Sequence, residues 1–195
     1  MPRLWACLKN KEIVRGDCSL RAVQDEDIEK IRLWRNLQIS VLRQPYPITR
    51  EQQEKYYLET IFPSMLENQP SNILVSLYQK DKLIGYGGIV HLGWEDRRGE
   101  ISFLLNPEFT EDKLVYQEKH IIFLNLVADL AFLDLGLNKI FTETWSVRRD
   151  HIDNLEAFGF RQEGTLKAHV MIDGKYEDAL MHGMLASEYN QKGNL

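Results

Sequence analysis

Hydrophobic and polar positions change period several times along the chain, and each change marks an element. "IVRGDCSLRAV" is apolar enough for a first strand. "DEDIEKIRLWRNL" spaces its apolar residues at helical intervals, with Asp25 as the expected N-cap and acids in the first turn. "ITREQQEKYYLETIF" predicts a second helix, with Thr49 and Gln52 at capping-box spacing and Pro63 ending the run. "NILVSLYQ" and "LIGYGGIVHL" flank Lys80–Asp81–Lys82 and predict a hairpin, and "GEISFLLN" a further strand. The apolar run over 121–137 predicts a buried helix ending near Gly136. "NKIFTETW" follows as a strand and "RRDHIDNLEAF" as a short helix stopped by Gly159. Asp173–Gly174 is the dipeptide favoured in type I′ turns, so a hairpin closes the chain. The order β-α-α-β-β-β-α-β-α-β-β predicts a mixed α/β (α+β) fold, not a doubly wound one. Its sheet would be central and largely antiparallel, of about seven strands flanked by about four helices.

Composition narrows the classes. A chain of 195 residues favours one domain, 1–195, and 44% hydrophobic residues suffice for a core. A net charge of −5 argues against a basic nucleic-acid-binding surface. Cys7 and Cys18 lack metal-type spacing and read as two reduced thiols of a cytoplasmic protein. The first residues hold no sustained apolar run, so no secretory signal is expected. Asn125, Asp129 and Asp134 interrupt 121–137, which is also short for a membrane span. His169 and His182 have no third ligand at suitable spacing, so no metal is expected.

Several stretches resemble the GNAT N-acetyltransferase superfamily over about residues 15–186. "NLEAFGFRQEGTLKAHVMIDGKYED" carries Glu156, Gly159, Phe160, Glu163, Gly164, Asp173, Gly174, Lys175 and Asp178 in a pattern similar to ribosomal-protein-type acetyltransferases. "LRAVQDEDIEKIRLWRNLQIS" and "PITREQQEKYY" resemble the opening of amino-sugar N-acetyltransferases, and "GYGGI" with "GEISFLL" the superfamily's central meander. The resemblance implies acetyl-CoA as donor, a primary amine as acceptor, and direct attack of the neutral amine in a ternary complex. An amino-sugar nucleotide is the leading acceptor. The alternatives are a protein N-terminal amine, or a non-catalytic module that binds CoA or another ligand on the same fold.

The resemblance also implies site residues. The family's glycine-rich diphosphate loop falls near "VYQEKH", Val115 to His120, where this chain has no glycine. Either the helix start at Gln117, Lys119 and His120 still holds the diphosphate, or the segment is only a capped helix start. The backbone at Leu104 and Leu105 is where relatives pair with the pantetheine arm. Glu100 is the expected general base, or else an exposed cross-strand partner of Arg97 or Arg98. Arg148 is expected near a phosphate or pantetheine carbonyl. His151 would polarise the thioester or protonate the thiolate, or else be a solvated residue of a helix start. Tyr116 is the nearest alternative for a general acid. Arg35 and Tyr46 on the early helices, and Trp94 and Glu95 in "HLGWEDRR", are expected to bind the acceptor. The C-terminal hairpin offers an edge for a homodimer.

Overall fold

In a computed structural model describing residues 2–192, the chain forms one eight-stranded sheet in the order β1-β2-β3-β4-β5-β6-β8-β7. The expected first strand is two, β1 (Glu12–Arg15) and β2 (Cys18–Ala22), because Gly16 at φ +60 turns the chain inside that apolar run. β3 (Ile73–Gln79), β4 (Lys82–Gly93) and β5 (Arg98–Leu105) complete an antiparallel meander. β4 and β5 approach closely at Gly87, where a Cβ would lie 2.1 Å from the Ser102 carbonyl oxygen. Gly88, at φ +132, would put one 2.0 Å from the Ile73 carbonyl oxygen. Gly87 and Gly88, two of the three glycines of "GYGGI", are therefore steric requirements.

Helix α1 (Ile28–Leu37) is preceded by a 3-10 turn capped by Gln24, not Asp25. Asp25 pairs with Arg3, while Asp27 accepts the Gln24 N–H and the hydroxyls of Ser76 and Tyr78. α2 (Arg50–Tyr56) has the expected Thr49–Gln52 capping box. The chain does not stop at Pro63. It widens into a π-turn over Tyr57–Ile61 and restarts as α3 (Phe62–Ser64), where proline lacks only an N–H that a first turn leaves unpaired.

α4 (Lys113–Ala128) continues through a wide turn to Asp134, and Gly136 at φ +68 ends the run. The helix starts at Lys113, four residues before Gln117. Asp112 caps it by accepting the N–H groups of Leu114 and Val115, and nothing between Lys113 and His120 breaks a helix. Gln117, Lys119 and His120 therefore lie in its second and third turns. β6 (Lys139–Trp145), α5 (Arg149–Phe158), and the hairpin β7 (Arg161–Ile172) and β8 (Lys175–Leu185) follow, then α6 (Ala186–Lys192). Asp173 at φ 49 and Gly174 at φ 78 form the expected turn.

Alternation along β5 separates two faces. Phe103 packs against Phe123 and His120 of α4, whereas Glu100 meets Arg43, just beyond α1. Successive side chains of a strand point to opposite faces, so α4 and the α1–α2 region lie on opposite sides of the sheet. Leu77, Ile89, Phe123, Leu126 and Ile140 are fully buried in the core. Among the described residues no helix is long and apolar enough to cross a membrane.

Candidate active site

The parallel pair β5 and β6 joins only over Arg98–Glu100 and Lys139–Phe141, and then the strands part. The resulting wedge holds a cavity of about 180 Å³, lined on β5 by Glu100 to Phe103, on β6 by Thr142 to Thr144, and by His120, Arg148 and His151. A second cavity, about 390 Å³, opens on the α1–α2 face beside Arg35, Gln53, Tyr56, Tyr86, His91 and Ser102. Arg35 and Ser102 line both, so the two cavities adjoin at β5.

On the α4 face four rings stack in a column. Phe123 meets Phe103 at 4.5 Å between centroids, Phe103 meets His120 at 4.8 Å, and His120 meets His151 at 4.2 Å. Burial drives the pKa of His120 down to about 3, aided by the charge of Arg148. Burial likewise holds His151 well below the usual histidine range, with His120 and Arg148 adding to it. Neither has a carboxylate partner, so both rings are neutral near pH 7. Tyr116 is linked to His151 Nδ1 at 2.7 Å, and burial raises its pKa while Arg148 opposes the rise. Lys113 pairs with Asp150 at 2.5 Å, a second tie between α4 and α5.

On the other face the chemistry is ionic. Arg43 donates to Glu100 Oε1 at 2.6 Å and lies 3.2 Å from Glu143. His91 Nδ1 is 2.8 Å from Glu100 Oε2. Glu100 is buried, so it is not an exposed partner of Arg97 or Arg98. The β4–β5 register slips between Val90 and Gly93, and within that bulge His91 adopts φ +51.

The wedge gathers Glu100, Tyr116, His120, Arg148 and His151, with Arg35 at its border. His151 is buried, not solvated. The side chains of Leu104 and Leu105 are core; the Leu105 carbonyl accepts from Gln38 Nε2 at 2.9 Å. Gln117 is exposed, and Lys119 is buried with its ammonium on Glu118. Tyr46 is 77% exposed and lines neither cavity. Trp94 and Glu95 line neither as well: Trp94 donates its indole N–H to the Pro70 carbonyl, and Glu95 faces solvent. Arg43 gave no signal, since it stands in a stretch without periodicity or motif. Glu143 and Asn154, whose amide lies 3.4 Å from His120 Nδ1, stand within a predicted strand and a predicted helix, where their spacing alone marked no role. Thr142 and Thr144 did give a signal, a polar pair at period 2 on the buried face of the strand.

The residues present fit the arm of an acyl-CoA but not a glycine cradle. Among the described residues His120 Nε2 is buried beside the wedge with no hydrogen-bond partner, and Thr142 and Thr144 bury hydroxyls there. At the helix start, by contrast, Asp112 already takes the N–H groups of Leu114 and Val115 and places a carboxylate where an anion would sit.

The parted strands β5 and β6, with α4 and α5 at their opening, leave room for an extended ligand arm between them. The chain belongs to the acetyltransferase (GNAT) domain family, whose profile matches residues 20–181. It is an N-acetyltransferase with acetyl-CoA as co-substrate and an amine as acceptor. It is 26% identical over 181 residues to a spermidine N(1)-acetyltransferase of Vibrio cholerae, covering 90% of this chain and 97% of that protein. It is 23% identical to an uncharacterized N-acetyltransferase of Bacillus licheniformis, covering 88% and 94%. Among solved structures, a V. cholerae spermidine N-acetyltransferase in complex with CoA and spermine shares the fold. Its TM-score is 0.79 at 22% identity, with 90% of this chain and 99% of that one covered.

Proposed function

We propose that the acceptor is a primary amine on a polar, negatively charged body, of the kind an amino-sugar nucleotide presents. One observation carries this reading. The side chains lining the two cavities include Arg35, Arg43 and Arg148, while the only carboxylates are Glu100 and Glu143, both already engaged by Arg43. An acceptor with several ammonium groups needs an anionic partner for each one it buries. An acceptor with one amine and a phosphate finds arginine for the phosphate and the Glu100 end for the amine. The second reading, a polyamine, rests on the likeness to the V. cholerae enzyme named for spermidine.

In this reading the acyl-CoA arm lies along β5 in the wedge, beside the backbone from Ile101 to Leu105, with Arg148 toward its polar end. About 180 Å³ is smaller than the roughly 300 Å³ at which ligand pockets begin. Entry of the arm therefore widens the gap between α4 and α5 and loosens the Lys113–Asp150 tie. The Tyr116–His151 pair then holds a proton for the departing sulfur, both groups being neutral. Glu100 governs removal of the amine proton, but Arg43 and His91 each hold one of its oxygens. The whole chain acts as one domain, and the exposed strand β7, an edge of the sheet, is the surface for self-association into a dimer or larger assembly. A V. cholerae spermidine N-acetyltransferase of the same fold is described as dodecameric.

The test is acetyl-CoA consumption with a uridine-diphosphate amino sugar, the corresponding free amino sugar, and spermidine. The nucleotide should give the highest kcat/KM and the free sugar a lower one. Preference for spermidine overturns the acceptor assignment.

A further inference from the structure

The geometry points to His91 as the catalytic base that takes the proton from the acceptor amine, with Glu100 as the residue that positions it. The inference rests on the transferase reading of the site and assigns the proton acceptor within it.

Glu100 cannot serve directly while its contacts stand. Arg43 occupies Oε1 at 2.6 Å and His91 occupies Oε2 at 2.8 Å, and the carboxylate is buried between them. An ionised carboxylate only accepts hydrogen bonds, so the nitrogen of His91 that faces it carries the ring proton. Nδ1–H to Glu100 leaves the lone pair on Nε2. Among the described residues Nε2 has no protein partner, and the ring is 65% exposed. It lines the cavity that adjoins the wedge at Ser102. Reach to the amine and a defined tautomer are the two requirements for a general base oriented by a carboxylate.

The backbone is shaped for this placement. His91 holds φ +51 within the register slip of β4, a conformation costly for a residue with a Cβ. The Asn72 side chain accepts its backbone N–H at 3.2 Å. A regular strand would alternate the side chain instead; the bulge turns it toward Glu100 across the β4–β5 pair. The titratable and charged groups around the ring are Glu100 on β5, Arg43 behind Glu100, Arg35 on α1, Tyr56 and the buried Tyr57 beyond it, and Tyr86 on β4.

The proton and electron balance closes. His91 Nε2 takes one proton from the ammonium, and the freed nitrogen pair attacks the acyl carbon. The thioester supplies the acetyl group: the N–C bond forms, the C–S bond breaks, and the sulfur leaves with the electron pair and takes the proton held by the Tyr116–His151 pair. The nitrogen's second proton passes to solvent, and an equivalent proton from solvent restores the pair. His91 then returns its proton to solvent through its exposed side.

The test pairs His91→Ala and Glu100→Gln with two readouts. With any amine the wild type acetylates, His91→Ala should lower kcat by about 100-fold, abolish the acidic limb of the pH–rate profile, and regain activity with added imidazole. Its calorimetric affinity for acetyl-CoA should stay at the wild-type value. Without substrate, long-range ¹⁵N–¹H spectra should place the His91 proton on Nδ1 and show that signal changed in Glu100→Gln. Full activity with an unaltered pH profile in His91→Ala overturns the proposal, as does a His91 signal indifferent to Glu100→Gln. Failure of the wild type to bind acetyl-CoA would strike the site reading instead, and the spectra would still decide whether Glu100 holds the ring.

Discussion

The two faces of the wedge use histidine in opposite ways. On the α4 face His120 and His151 are buried, stacked on one another, and without a carboxylate partner among the described residues, so burial, helped by the charge of Arg148, keeps them neutral. On the α1–α2 face His91 is open to solvent and bonded to Glu100. The same side chain is held neutral inside the packing in one place and is open to take up a proton in the other. What separates them is a carboxylate partner and access to water, not the residue type.

That contrast can be broken from either side. The largest expected effect is on turnover: His91→Ala costs about 100-fold in kcat while its melting temperature stays at the wild-type value, since an exposed ring leaves no cavity. His120→Ala should do the reverse in stability, losing about 2–4 kcal/mol in a urea titration because a fully buried ring is removed from a stacked column. Equal stability losses in the two variants would remove the distinction.

A smaller effect concerns pH. His120 titrates at about 3 in the folded protein against about 6.5 in an unfolded chain. Below pH 6.5 the unfolded chain therefore binds a proton that the folded one refuses, and stability falls as pH drops toward 3. His120→Phe keeps the stacking, cannot titrate, and should flatten that decline in melting temperature between pH 7 and 5. An equally steep decline would assign it to other groups.

The Arg43 end sharpens the acceptor assignment. Arg43→Ala should raise KM severalfold for an amino-sugar nucleotide and leave KM for the free amino sugar nearly unchanged. Equal increases for both would confine Arg43 to holding Glu100 and Glu143. The smallest effect is expected at the exposed Lys113–Asp150 tie, where Lys113→Ala should leave the melting temperature unchanged.

Much of this fold was legible because its punctuation is local. The Thr49–Gln52 box, Gly136, Gly159 and the Asp173–Gly174 turn each act within a few residues, and each stands where its chemistry predicts. The hydrophobic pattern carried the meander and the β5–α4–β6 unit, and the family resemblance agreed with the meander. The missed features depend on distant partners or on competition. The start of α4 depended on Asp112 capping earlier than the apolar run begins. The Arg43–Glu100–His91 chain joins residues from three parts of the sequence, and no spacing rule links them. Glu100 was legible as an acid on the right face of β5; that its two oxygens would both be occupied was not. Trp94 looked like a ring for an acceptor, yet its indole N–H is committed to the Pro70 carbonyl, an outcome that only the folded loop decides.

The central claim is that the parting of β5 and β6 seats the acyl-CoA arm while the amine chemistry stays on the far face. Its most direct test is calorimetric titration of acetyl-CoA into the wild type, His91→Ala and Thr144→Trp, the last placing an indole at a wedge position where the native side chain is 1% exposed. The account predicts one site per chain in the wild type, the same affinity in His91→Ala, and no detectable binding in a folded Thr144→Trp. Undiminished binding in folded Thr144→Trp would contradict it.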